Sequence, residues 1–412
     1  MLEASGRIGG KLRTDRGDGG TPLEWGPDAI VAVKPRALTL VRELGLGGEV
    51  VTPGATRAYV LLDGRLRPIP EGTVMGVPTG PAALAAAVRA GIVDAAAAAR
   101  AASEPLRPRA SSRDSSVAMV CRERLGDGAS RRLVEPLVEG VYGVPAERLS
   151  MRACMPALAE GASLVRAARA ARRARSGPLF IALRGGMARL AEALAGDLDV
   201  RVGMRALAVA REGGGFRVLI PEGAVEADAL LLAVPAPSAA GLLAPVAPDV
   251  LDDLGSIVHT PSAVVHLRYA EGALGRPLDA AGYVVAASDR RVVAACSWIS
   301  SKWPHLGLRE PRLRVVATGL AADLDDHALA EIVPTEIAQT MQARRDPVEV
   351  QVHRWPDAMP VYAPGHLDRV RRLRGLLPPG VGVAGASYDG IGVPDCVASG
   401  ERAARALVEV MA

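Results

Sequence analysis

The chain is poor in several things, and each scarcity removes a class of explanation. Aromatic residues make up only 3% of its 412 positions, and two of them are phenylalanine. No basic stripe is interleaved with aromatic rings, so the stacking platforms that bind nucleic acid have no counterpart here. The formal charge of +4 is small for this length and gives no reason to expect a polyanionic partner. Four cysteines, Cys121, Cys154, Cys296 and Cys396, stand far apart with no CxxC pair. That argues against a zinc ribbon or redox dithiol and suits a reducing compartment. The longest apolar runs, such as Ala95 to Ala99 and Ala229 to Val234, fall far short of the roughly 20 residues of a membrane helix. No signal-peptide pattern opens the chain, and the cytoplasm is the expected location. HExxH, GxSxG and paired carboxylates in a family context are missing as well, which speaks against hydrolysis.

What is present is the balance of a globular protein, with 49% hydrophobic and 23% charged residues. The length suggests two domains, interleaved in sequence. The opening LEASGRIGGKLRT reads as a strand stub, a Gly-rich turn and another strand, and Thr39 to Leu46 is helical. Arg57 to Ile69 alternates around Asp63-Gly64 as a hairpin would. Residues 75–178 read as an all-helical insert: Pro81 to Ala102, Val117 to Tyr142 and Ser150 to Ala174, with EPLRPRASSRDSS as a connector. Strands are expected at Phe180, Val200 to Val202, Phe216 to Ile220 and Ala229 to Val234, then through Ala263 to Thr318. A helix follows at Asp326 to Arg344, and the chain ends in a strand, a Gly-rich loop and a long helix.

Two motifs bracket the chain. In a dinucleotide-binding fold the second strand ends in an acidic residue that hydrogen-bonds ribose hydroxyls, and Glu3 takes that place. Arg7 follows, then Gly9 and Gly10, a backbone that can pass close to a pyrophosphate while the guanidinium neutralises it. Alone, the motif has a second reading as a surface turn with a solvated arginine. At the other end, Gly390 and Gly392 allow tight loop geometry and Pro394 suits a helix start. The unpaired amides of such a start can face the polar edge of a flavin.

The ordered stretches LEASGRIGGKLRT, EWGPDAI, RLGDGASRRLVEPLVEGVYGV, ACSWISSKWPH, HRWPDAMPVYAPGH and GASYDGIGVPDC resemble the oxygen-dependent protoporphyrinogen oxidase family. The last four are most similar to the bacterial type that acts on coproporphyrinogen III. The resemblance implies an α/β fold: an FAD-binding Rossmann-like domain of glutathione-reductase type beside an α+β substrate domain with a helical insert. The expected boundaries are residues 1–74, 179–238 and 350–412 for FAD, and 75–178 with 239–349 for substrate. It also implies oxidation of a tetrapyrrole porphyrinogen with molecular oxygen as acceptor and hydrogen peroxide as product, in haem biosynthesis. Catalysis is then centred on the flavin, with the protein supplying position and electrostatics.

By the same resemblance Glu3 holds the adenosine ribose, and Arg7, Gly9, Gly10 and Lys11 lie along the pyrophosphate. Gly26, Pro27 and Asp28 pass under the isoalloxazine, Val202 meets the adenine, and Val393, Pro394 and Asp395 meet the flavin from the last helix. Trp355 packs near the ring or is a core tryptophan. Arg57, Lys302 and Arg354 are basic residues available for substrate carboxylates.

The chain also departs from the pattern. The family's first β-α unit, with its GxGxxG loop, belongs upstream of Glu3, where only two residues stand. The readings left open are a start codon further upstream or a degraded gene whose product is a cofactor-free remnant. An amine oxidase or carotenoid desaturase on the same scaffold is a third alternative. The run Arg166 to Arg175 is either a solvated helix face or a contact for the membrane periphery or an acidic haem-pathway enzyme. No oligomeric state is implied.

Overall fold

A computed structural model describes residues 1–107 and 114–411, so the middle of the expected connector EPLRPRASSRDSS lies outside the described residues. The chain divides into two compact units. The first comprises Met1–Thr52, Gly177–Val258 and His366–Ala412, and the second Pro53–Ser176 and His259–Gly365.

In the first unit the apolar strand Leu230–Leu232 pairs in parallel with Val381–Val383. The chain leaves Val383 through a Gly-rich loop and enters the helix Val393–Met411. Strands Ala208–Glu212, Gly215–Ile220 and Gly223–Ala227 form an antiparallel meander. Phe216, Val218 and Ile220 alternate inward, which fixes the face it buries. Their core is completed by Leu232, Leu243, Leu254, Leu373 and Tyr388. A third sheet places Phe180–Leu183 between Ile30–Val31 and Val50–Val51. The strand expected at Val200 to Val202 is reduced to one parallel bridge, Leu2 with Arg201.

The second unit is built on a seven-stranded mixed sheet. Its order is Glu349–Pro360, His259–Arg268, Arg312–Ala317, Val293–Trp298, Gly282–Val285, Tyr59–Leu62 and Arg65–Pro68. One face packs on the helix Asp326–Met341 through residues such as Val265, Leu267, Trp298, Leu313, Val315 and Ile337. The hairpin at its edge turns at Asp63 and Gly64, with φ of 53° and 68°, the double left-handed geometry of a type I′ turn. Asp289 closes it by accepting from both turn amides, at 3.0 and 2.6 Å.

Three boundaries differ from those expected from sequence, two because of long-range strand pairing and one because of core packing. The hairpin Tyr59–Pro68 joins the second unit, since Tyr59–Leu62 runs parallel to Gly282–Val285. Residues 350–365 join it too, because Glu349–Pro360 pairs with His259–Arg268. Residues 239–258 fall in the first unit, whose core buries Leu243, Val250 and Leu254. The insert is also not wholly helical. Strands Thr73–Val74 and Val77–Pro78 form a small hairpin at its start, and Gly91, with φ of 68°, separates helices Pro81–Arg89 and Ala95–Ala102. A π-turn at Ser130–Val134 interrupts the next helical stretch. It precedes Pro136, whose missing N–H leaves the Arg132 carbonyl without its usual donor. Among the described residues no helix is long and apolar enough to cross a membrane.

Candidate cofactor site

The first unit brings the two terminal motifs into register with their neighbours. The Glu3 amide donates to the Arg201 carbonyl at 2.9 Å, and the Glu3 carbonyl accepts from the Met204 amide at 2.9 Å. Val202 therefore lies in the segment facing Glu3, and its side chain is exposed. The Glu3 Oε1 accepts from the amide and hydroxyl of Ser5 at 2.8 and 2.7 Å. Ser5 thereby fixes the carboxylate and leaves its second oxygen for another donor.

Arg7 curls over its own loop, donating to the carbonyls of Ile8 and Gly10. Burial, and then the like charge of Arg13, pull its guanidinium below the usual value. Gly9 and Gly10 have φ of 94° and 54°, a left-handed pair that L side chains rarely adopt. A Cβ on Gly10 would meet nothing within 4 Å, so the backbone there is bare enough for close approach by a ligand. Gly26 is constrained in the opposite way. A Cβ there would stand 1.7 Å from the Lys11 carbonyl oxygen, so the turn through Gly26, Pro27 and Asp28 is pressed against the Arg7–Lys11 loop. Trp25 reinforces the contact with its amide on the Arg13 carbonyl at 2.9 Å and its indole N–H on Asp15 at 2.8 Å.

The C-terminal motif reaches the same neighbourhood. Lys11 lies close enough to Cys396 for its charge to oppose the upward push of burial on that thiol, which stands at about 11. Val393 and Pro394 open the last helix, and the Asp395 amide closes onto the Gly392 carbonyl at 2.9 Å. Both Asp395 oxygens are held by the Lys34 ammonium at 2.6 and 2.7 Å. Asp395 thus offers its place at the helix start rather than an uncommitted carboxylate. Lys34 was not singled out from sequence. The signal for it was faint: a lysine six residues beyond the EWGPD turn, with its partner in another motif.

The loop before this helix is locked from behind. The Gly385 amide donates to Ser399 Oγ at 2.9 Å, Ser399 donates to Asp389, and Asp389 is paired with Arg374 and Arg402. Burial pushes the Asp389 carboxyl up, but its bonds to Arg374 and Ser399 prevail and hold it below the usual range.

The residues present suit a flavin adenine dinucleotide. They offer an oriented carboxylate oxygen for ribose, a bare left-handed glycine backbone with Arg7 and Lys11 for the pyrophosphate, and a helix start beside a glycine loop. Trp355 belongs to the second unit. It stands opposite Ser262 in the seven-stranded sheet, with its ring 4.5 Å from that of His353 and nearly perpendicular to it. Among the described residues no group of histidines, cysteines and carboxylates is arranged for a metal.

Residues 1–408 match the family described as flavin containing amine oxidoreductase. The chain is 35% identical to a coproporphyrinogen III oxidase of Mycobacterium tuberculosis, covering 100% of this chain and 91% of that one. It is 30% identical to the coproporphyrinogen III oxidase of Bacillus subtilis, over 98% of this chain and 90% of the relative. Among solved structures, an Exiguobacterium protein with a provisional protoporphyrinogen oxidase name superposes with a TM-score of 0.86 at 30% identity, over 100% of this chain and 91% of that one.

Proposed function

Because the chain belongs to the flavin-containing amine oxidoreductase family, we propose that it is an FAD-dependent enzyme oxidising a porphyrinogen to the porphyrin in haem formation. Coproporphyrinogen III is the substrate this reading favours, with oxygen as acceptor and hydrogen peroxide as product. The observation that carries the reading is 35% identity along the whole chain to coproporphyrinogen III oxidases.

When bound, the flavin supplies the redox chemistry, taking up two electrons at a time from the substrate and returning them to oxygen. The protein's task is to hold and orient. Glu3, set by Ser5, receives the ribose hydroxyls, and Val202 borders the adenine. Arg7 and Lys11 offset the pyrophosphate charge where Gly9 and Gly10 let the backbone approach. Gly26, Pro27 and Asp28 form the floor beneath the ring system, and Val393, Pro394 and the Lys34-bound Asp395 present a helix start to its polar edge.

The test is a substrate panel on purified, FAD-loaded protein. Coproporphyrinogen III should give rising porphyrin fluorescence with peroxide release in step, and protoporphyrinogen IX should react more slowly. Turnover of primary amines with no porphyrin formed would replace this reading with an amine oxidase.

A further inference from the structure

The helix Glu135–Tyr142 of the second unit lies tightly on the seven-stranded sheet. A Cβ on Gly140 would stand 2.8 Å from Val284, which leaves no room for a larger residue. Glu135 and Glu139 lie one turn apart on this helix and so share a face. They are 4% and 2% exposed.

The two buried carboxylates are served very differently. Arg122 donates to both oxygens of Glu135 at 2.8 and 2.7 Å, and the Ser130 hydroxyl adds a bond at 2.9 Å. Glu139 accepts one amide bond, from Ala146 at 3.0 Å. Its second oxygen, Oε2, stands 2.9 Å from Arg290 Nη2, but that nitrogen donates to the Val285 carbonyl at 2.9 Å. Among the described residues Oε2 has no hydrogen bond, and neither has the buried Nε of Arg290. A charge contact without an aligned hydrogen bond offsets only part of the cost of burying a carboxylate.

Other charged groups near this helix are committed elsewhere. Arg131 and Arg132 of the π-turn face Asp127 and Asp63 at 3.7 and 2.6 Å. On the turn Ala146–Arg148, Glu147 pairs with Arg122 and Arg148 is exposed. Tyr142 donates to the Cys154 carbonyl at 3.2 Å. Burial pushes Tyr283 and Cys296, from the strands beneath, up and keeps them uncharged. Beside Arg290, Asp289 is held by the amides of Asp63 and Gly64, and Arg291 is exposed. Glu336 accepts from the Val292 and Val293 amides at 3.1 and 3.2 Å.

We propose that Glu139 and Arg290 form a proton-governed joint between this helix and the sheet, closed when the Glu139 carboxyl carries its proton and loosened when it ionises. The joint is independent of the porphyrinogen reading. Burial is the largest influence on the Glu139 carboxyl and pushes it up; the Ala146 amide and then Arg290 pull it down without prevailing, and Glu135 adds a further push. The stabilising contribution is therefore full below the unfolded value of about 4.3 and is lost as the pH rises through the higher folded value. That is the reverse of ordinary acid denaturation. Arg290 tolerates the neutral partner because 14% of its side chain reaches water.

The experiment is hydrogen exchange by mass spectrometry on the full chain at about pH 5 and about pH 8, corrected for the chemical rate. It is read over residues 135–142 and 286–292, with the helix Val393–Met411 as internal reference. In wild type the opening of both segments should increase roughly threefold or more from the lower to the higher pH. Glu139→Gln, uncharged and of similar shape, should open equally at both, near the wild-type acid level. Arg290→Met removes the partial counter-charge and should open more steeply with pH than wild type. A wild type with equal opening at the two pH values would overturn the joint, as would a Glu139→Gln slope that matches wild type. If Glu139→Gln does not fold, Arg290→Met decides: a slope no steeper than that of wild type overturns the proposal.

Discussion

At the scale of single residues, the two terminal motifs stand out in the sequence because residue type and spacing are local. Glu3, Gly9 and Gly10 declare themselves by type and spacing, and the left-handed glycines carry the expected conformations. What spacing does not reveal is a partner from elsewhere in the chain, as with Lys34 on Asp395 or the packing of Gly26 on Lys11. These contacts make predictions. Gly26→Ala forces a Cβ into the Lys11 carbonyl and should cost about 1–3 kcal/mol of stability. The variant should also lose most of its yellow absorbance, as checked by spectrum and thermal melt. Glu3→Ala should weaken FAD binding roughly tenfold, and Ser5→Ala less, since Ser5 only orients the carboxylate; flavin fluorescence quenching measures both. Asp389 gives a pH signature. Its folded carboxyl titrates below its ordinary range, so its stabilising contribution is full above the unfolded value of about 3.9 and is lost as the pH falls below it. Melts of wild type and Asp389→Asn should therefore differ at neutral pH and converge below about pH 4.

At the scale of elements, the sequence was most readable where a turn or cap fixes local geometry. The Asp63-Gly64 hairpin and the helix Asp326–Met341 both fall where the pattern places them. Val200 to Val202 looks like a strand but finds only one bridging partner, and the breaks at Gly91 and before Pro136 turn on single residues inside strongly helical stretches. The basic helix Leu164–Ala174 depends on a buried feature far away in sequence. Fully buried Glu104 accepts from the amides of Leu164 and Val165 at 2.9 and 3.3 Å. It also takes the Ser163 hydroxyl and pairs with buried Arg124. Glu104→Ala strips the cap from this helix and leaves the Arg124 charge without its carboxylate. A loss of about 3–5 kcal/mol is expected, read by urea unfolding. Arg173→Ala, on the exposed side of the same helix, should change stability by less than about 0.5 kcal/mol.

At the scale of the whole molecule, interleaving was visible in the sequence but its boundaries were not. Strand character at both ends and in the middle implied a domain assembled from separated segments. Where each segment changes allegiance depends on pairings such as Tyr59–Leu62 with Gly282–Val285, which no local pattern announces. The joint at Glu139 was hidden for the same reason: helical spacing marks Glu135 and Glu139 as sharing a face, but only the fold shows that this face is buried. The central claim joins the first unit's dinucleotide motifs to porphyrinogen oxidation, and anaerobic mixing tests it most directly. FAD-loaded protein is mixed with coproporphyrinogen III without oxygen, and the yellow flavin band is followed. Rapid bleaching, with colour restored and porphyrin and peroxide formed when air is admitted, is the predicted result. A protein that holds FAD and stays yellow in the presence of porphyrinogen would contradict the account.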